Sequence, residues 1–281
     1  KSRTRIVNRK NAVSPLRAVE SFIKNYNLIV QMTKRDVVGR YRGSVMGLTW
    51  SFFNPLLMLA IYTFVFSVVF KARWSGIGEE STKMDFAIIF FSGLIMYGVF
   101  AECVNRAPST ILANINYVKK VVFPLEILPL IACGSALFHA AISIVVLLLA
   151  QLVFEGHVPW TAVLFPVVMA PLALATMGIA WVLSALGVYV RDIGQITGMV
   201  TTMLMFLSPI FFPMSAMPEE FRGMIAINPL VYFLEEGRNT LIFGVVPDPL
   251  HLVYAWVASI VVASIGFAIF QKMRNGFSDV L

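Results

Sequence analysis

The chain has 281 residues, 58% hydrophobic and only 13% charged, with a mean hydropathy of +0.81, whereas soluble domains carry about 25% charged residues. With 23 Phe, 5 Trp and 8 Tyr added to long charge-free runs, a soluble globular protein is excluded and a polytopic membrane protein is implied. The formal net charge of +7 bears on orientation, because basic residues are retained in the cytoplasm.

The first residue is Lys, and residues 1–48 hold no apolar h-region, so neither a signal peptide nor an intact start is visible. Ser14 and Pro15 read as an N-cap followed by Pro at the first helical position. Leu16, Val19, Ile23, Tyr26 and Val30 then recur at steps of three and four, with Arg17, Glu20, Lys24, Asn27 and Gln31 opposite. That pattern suits a helix lying in the cytoplasmic interface, or one packed on a partner or on the protein's own spans.

Six stretches approach the roughly 20 residues that a hydrocarbon core of about 30 Å requires: 49–70, 85–105, 123–154, 160–190, 193–212 and 251–270. An even count puts both termini on one side. Seventeen of the 22 Lys and Arg then fall on that side, which predicts cytoplasmic termini. Between spans five and six, apolar pieces are broken by Pro209, Pro213, Pro218, Gly223, Pro229, Gly237 and Gly244 and carry Glu219, Glu220, Glu235 and Glu236. This segment reads as short re-entrant or interfacial helices on the outer side. The predicted fold is all-α and polytopic, one membrane domain with a cytoplasmic segment 1–48, a six-span region 49–270 and a tail 271–281.

Nucleotide hydrolysis needs G-x-x-x-x-G-K-[ST], and no Gly precedes a Lys here. His139, His157 and His251 are isolated, no C-x-x-C, H-E-x-x-H or G-x-S-x-G occurs, and Cys103 and Cys133 read as apolar packing. His139 lies in an apolar span, where a packed or hydrogen-bonded role competes with that of a ligand. Glu102 and Arg106 are four apart and can pair on a helix, as a functional pair or as a plain helix-end ion pair. Glu126, Arg191 and Asp192 are expected at solvated cytoplasmic span ends. Arg35, Arg40 and Arg42 lie just below the first span; their guanidinium forks suit the phosphate of a lipid carrier, and equally plain anchoring to anionic lipid. On a helical wheel Phe52, Tyr62, Phe66 and Phe70 share one face of the first span. Such a face can line a path along which sugars slide over aromatic planes, or can simply meet lipid.

Three blocks carry a family resemblance. Lys34-Arg35-Asp36, Arg40-Tyr41-Arg42-Gly43-Ser44, Gly47, Trp50 and Pro55 resemble the opening of the membrane subunit of polysaccharide ABC exporters, with Met46 in place of the usual Leu. Asn114 to Lys119, Lys120, Phe123, Pro124, Glu126 and Pro129 resemble its loop between spans two and three. Ser208-Pro209-Ile210, Pro213, Asn228 and Pro229 resemble its re-entrant region. The resemblance implies a homodimeric permease in the inner membrane that exports a lipid-linked polysaccharide such as O-antigen, teichoic acid or capsule. It also implies a separate ATPase subunit bringing ATP and Mg, so this chain itself holds no cofactor and has no nucleic-acid partner. By the same resemblance Arg106, Pro108, Asn114, Lys119 and Lys120, within 106–122, dock that ATPase; Pro108 is expected to open a helix there, although a positive-inside loop alone also accounts for the lysines. A permease for drugs or small lipids is the rival transport reading. A membrane enzyme acting on lipid-linked glycans needs an acid, base or metal constellation that the sequence lacks.

Overall fold

A computed structural model describes residues 15–69, 83–119 and 123–281. Ser14, Phe70 and Lys120 lie outside them. All regular elements among the described residues are helical: α1 Pro15–Lys24, α2 Tyr26–Arg40, α3 Trp50–Tyr62, α4 Lys83–Thr110, α5 Ile115–Lys119, α6 Ile127–Phe154, α7 Phe165–Tyr189, α8 Ile193–Phe206, α9 Glu219–Ala226, α10 Pro229–Arg238, α11 Pro249–Arg274 and α12 Phe277–Val280.

The amphipathic N-terminal run forms two helices that meet at Asn25, whose side chain bonds back to the Ser21 carbonyl at 2.8 Å. Val19, Ile23, Tyr26 and Val30 are all exposed, whereas Ile29, Met32 and Val37 of α2 are buried against α6. The apolar stripe therefore faces away from the bundle.

Five helical stretches are long and apolar enough to cross a membrane: Gly47–Phe66, Phe86–Thr110, Ile127–Phe154, Trp160–Tyr189 and Pro249–Arg274. The expected span 193–212 is helical only to Phe206. Its 14 residues extend about 21 Å at 1.5 Å per residue, short of a hydrocarbon core. The cause is Pro209, which disfavours helical geometry at Ser208; the Ser208 hydroxyl closes the helix on the Leu204 carbonyl at 2.6 Å. The chain beyond it turns and forms α9 and α10, short helices as expected there.

Burial ranks the helices. In α4, 78% of the most apolar stretch is buried, against 17% for the stretch containing α3. Thus α4 is the axle, packed on α6, α7, α8 and α10, while α3 leaves Phe53, Leu57 and Ile61 exposed. Helices α7 and α11 meet backbone to backbone at Gly178 and Gly266, where a Cβ on either would strike the other helix's main chain; small residues permit this approach.

Candidate functional site

At the end of the bundle where α1 and α12 lie, three helices each present a pair of residues four apart, and so on one face. These are Asp36 and Arg40 of α2, Glu102 and Arg106 of α4, and Ser135 and His139 of α6. The Arg106 fork reaches both Asp36 oxygens at 2.8 Å, and the Ser135 hydroxyl donates to Asp36 Oδ2 at 2.6 Å. Arg106 also pairs with Glu102 at 3.3 Å. Arg40 closes the chain by pairing with Glu102 and lying 3.3 Å from His139 Nδ1. Two guanidinium groups thus share two carboxylates, each half-buried. Tyr41 stands edge-on to His139; burial pushes its phenol above the usual range, with Arg40 pulling the other way.

Against this network lies a cavity of about 400 Å³ between α3, α4 and α6. Arg40, Glu102 and His139 line one end, and Tyr62, Phe91 and Tyr97 contribute its aromatic walls. The predicted aromatic face of the first span divides here. Tyr62 lines the cavity and meets Phe90 at 4.9 Å, Phe66 packs on Phe86 and Phe90 at 5.3 and 4.8 Å, and Phe52 is exposed beside Phe53.

The three basic residues below that span also differ. Arg35 donates to the Tyr117 hydroxyl at 3.2 Å, which joins α2 to α5. Arg40 is held by Glu102, and Arg42 is exposed in the turn after α2 with no side-chain partner among the described residues.

In the predicted docking segment, Pro108 opens no helix. It sits in the last turn of α4, where its missing N–H costs only the bond to the Val104 carbonyl, and it packs on Gly187 of α7. The Asn114 side chain then bonds the Thr110 carbonyl at 2.9 Å, turning the chain into α5. Lys119 donates to the Leu281 carbonyl, and α12 folds back with Phe277 buried. Glu126, expected in solvent, is buried: it accepts from Arg274 at 2.7 Å and from Ser21 at 3.0 Å, tying α6 to α11 and α1. Arg191 and Asp192 are exposed, as expected.

At the far end Arg238 of α10, 3% exposed, is inserted against α4. Its guanidinium donates to three main-chain carbonyls: Ile89 at 3.3 Å, Ile210 at 2.9 Å, and Pro209. Gly93 makes room for it, since a Cβ there would lie 2.6 Å from Nη2. Asn228 both caps α10 and donates to Ser208 at 2.9 Å, which ties the start of α10 to the turn after α8. The sequence alone assigns no task to Arg238 or to Asp36. The signal for Asp36 is a carboxylate set among basic residues, whereas Arg238 follows Glu235 and Glu236 by three and two positions and so reads as a locally paired charge.

The ABC-2 type transporter family matches residues 27–242, which include the charge network, the cavity and the Arg238 anchor. The chain belongs to that family. The O-antigen export system permease protein RfbA of Myxococcus xanthus is 26% identical over 266 residues, covering 94% of this chain and 99% of its own length. The protein of the same name from Klebsiella pneumoniae is 26% identical over 258 residues, covering 91% and 95%. The polysialic acid transport protein KpsM of Escherichia coli is 22% identical over 244 residues, covering 86% and 91%. As an ABC-2 family member with five helices of spanning length, this chain is a multi-pass transport permease and not a membrane enzyme; ATP hydrolysis belongs to a separate subunit.

Proposed function

We propose that this ABC-2 permease exports a lipid-linked polysaccharide, O-antigen in the first instance, from the cytoplasmic to the outer face of the inner membrane. It does so as a homodimer with an ATPase subunit, which brings ATP and Mg, on each protomer. The observation that carries this reading is the likeness to O-antigen export permeases over more than nine-tenths of both chains. In this account α8 and the turn after it form a sixth, incomplete crossing, both termini are cytoplasmic, α1 lies in the interface on its apolar stripe, and α9 and α10 re-enter from the outer side.

The roles of individual residues follow from chemistry. Arg35, Arg40 and Arg42 sit at headgroup depth and offer forks for the carrier's phosphates. The segment 106–122, with Pro108, Asn114, Lys119 and Lys120, meets the ATPase. Its first residue, Arg106, grips Asp36 of α2, so a push on the segment reaches the helix that bears Arg40. Tyr62, with Phe52, Phe66 and Phe70, belongs to the aromatic side of the export path.

Deleting the gene in the native host tests the reading. Long lipid-linked glycan should accumulate on the cytoplasmic face and vanish from the surface. Unchanged surface glycan would overturn polysaccharide export in favour of a permease for drugs or small lipids. Replacing Lys119 and Lys120 by Glu should abolish co-purification of the ATPase while membrane insertion persists; intact co-purification removes the docking assignment.

A further inference from the structure

The cavity between α3, α4 and α6 has a volume of about 400 Å³, near the low end of the roughly 300–1,000 Å³ of small-ligand pockets. It has room for one or two sugar rings. One face of α3 supplies a wall: Ser51, Asn54, Met58 and Tyr62 recur at steps of three and four and all line it.

Two polar groups on that wall are open to a ligand. The Asn54 amide, in an exposed residue, and the Tyr62 hydroxyl, in a part-buried one, have no hydrogen-bond partner among the described residues. Both can therefore bond a ligand's hydroxyls without giving up a protein contact. The opposite wall is aromatic, with Phe91 and Tyr97 both buried, and Arg40 with Glu102 lines the end nearest the termini. Flat apolar faces beside amide, hydroxyl and carboxylate groups match a pyranose, which has apolar C–H faces and a polar equator. An acyl chain satisfies none of these polar groups.

We propose that this cavity binds a single sugar unit, the one adjacent to the phosphate of the lipid-linked glycan, with that phosphate meeting the Arg40 fork. The assignment rests on the export reading above and adds to it a site that reads the glycan's first sugar. Engaging Arg40 with phosphate requires it to release Glu102. Binding of the correct headgroup therefore alters the ion pairs that hold Arg106, the first residue of the segment assigned to the ATPase.

The test uses the permease assembled with its ATPase in nanodiscs. Two probes are compared: the host's polyprenyl diphosphate carrying only the first sugar of its glycan, and the same diphosphate without sugar. Gly98 lines the cavity and a Cβ on it meets nothing within 4 Å, so Gly98→Leu fills the space without a backbone clash. Asn54→Leu removes the amide independently. The wild-type complex should bind the sugar-bearing probe at least tenfold more tightly than the bare diphosphate, and each variant should reduce that ratio below twofold. A wild-type ratio near one, or a ratio that survives both substitutions, overturns the sugar site and leaves an acyl chain as the occupant. Failure of the wild type to bind either probe overturns instead the export of a lipid-linked glycan on which the proposal stands.

Discussion

Arginines brace both ends of this helical bundle, with opposite kinds of partner. At the terminal end Arg40 and Arg106 hold carboxylates, Glu102 being shared between them and Asp36 facing Arg106 across helices. At the far end Arg238 holds three main-chain carbonyls from α4 and the turn after α8. Carboxylate side chains swing on rotatable bonds and can trade one cation for another; carbonyls fixed in a folded backbone cannot. The first site can exchange its partners. The second fixes α10 against α4 and the turn after α8.

Breaking the rigid site should have the largest effect. Arg238→Met leaves buried carbonyls without donors at about 1–3 kcal/mol each, so a loss of at least roughly 3 kcal/mol is expected. Thermal unfolding of the purified permease checks it. Arg238→Lys should recover less than half of that loss, because an ammonium cannot span three acceptors in the guanidinium's fork geometry. A wild-type melting temperature for Arg238→Met would mean that these carbonyls have other donors. Gly266→Ala comes next: its Cβ strikes the main chain of α7, and parting two close-packed helices costs about 1–3 kcal/mol. Here too the melting temperature is the readout, and an unchanged value would show that α11 can shift freely along α7.

Local patterns were legible in the sequence where their cause is local. The apolar runs locate five crossings to within a few residues, and the spacing of Glu102 and Arg106 points to their pairing because four residues make about one helical turn. Contacts that join distant segments were not legible. Arg106 grips Asp36 from 70 residues away, and Glu126 meets Arg274 from 148 away, so Glu126 reads as solvated until the helices are packed. Span five failed differently: composition carries the apolar run to Phe212, but backbone sterics at Pro209 stop the helix at Phe206. Ser208 and Asn228 stand 20 residues apart in the sequence, and only the fold shows that they touch.

Weakening the exchangeable site should have a smaller effect. Asp36 and Arg106 retain about a third of their side-chain exposure, so solvent screens the pair and a coupling near 1 kcal/mol is expected. A double-mutant cycle with Asp36→Asn and Arg106→Gln, read by unfolding, measures it. A coupling above that of the Arg238 cradle would invert the contrast between the two ends.

Arg42 should show the smallest structural effect. Its side chain has no partner among the described residues, and it follows α2 by only two positions, so no folding contact is lost when it changes. Arg42→Gln should leave the melting temperature unaltered. The same variant should weaken binding of a sugar-free polyprenyl diphosphate several-fold, because a guanidinium fork can contribute two charge-assisted bonds to a phosphate. Arg40→Gln differs in kind, since removing Arg40 also strips Glu102 of a partner and must lower stability as well as affinity. If Arg42→Gln instead destabilised the fold with no change in diphosphate binding, Arg42 would be a structural residue. The basic cluster would then have no free receptor for the carrier, and a phosphate could enter only by displacing Glu102 from Arg40.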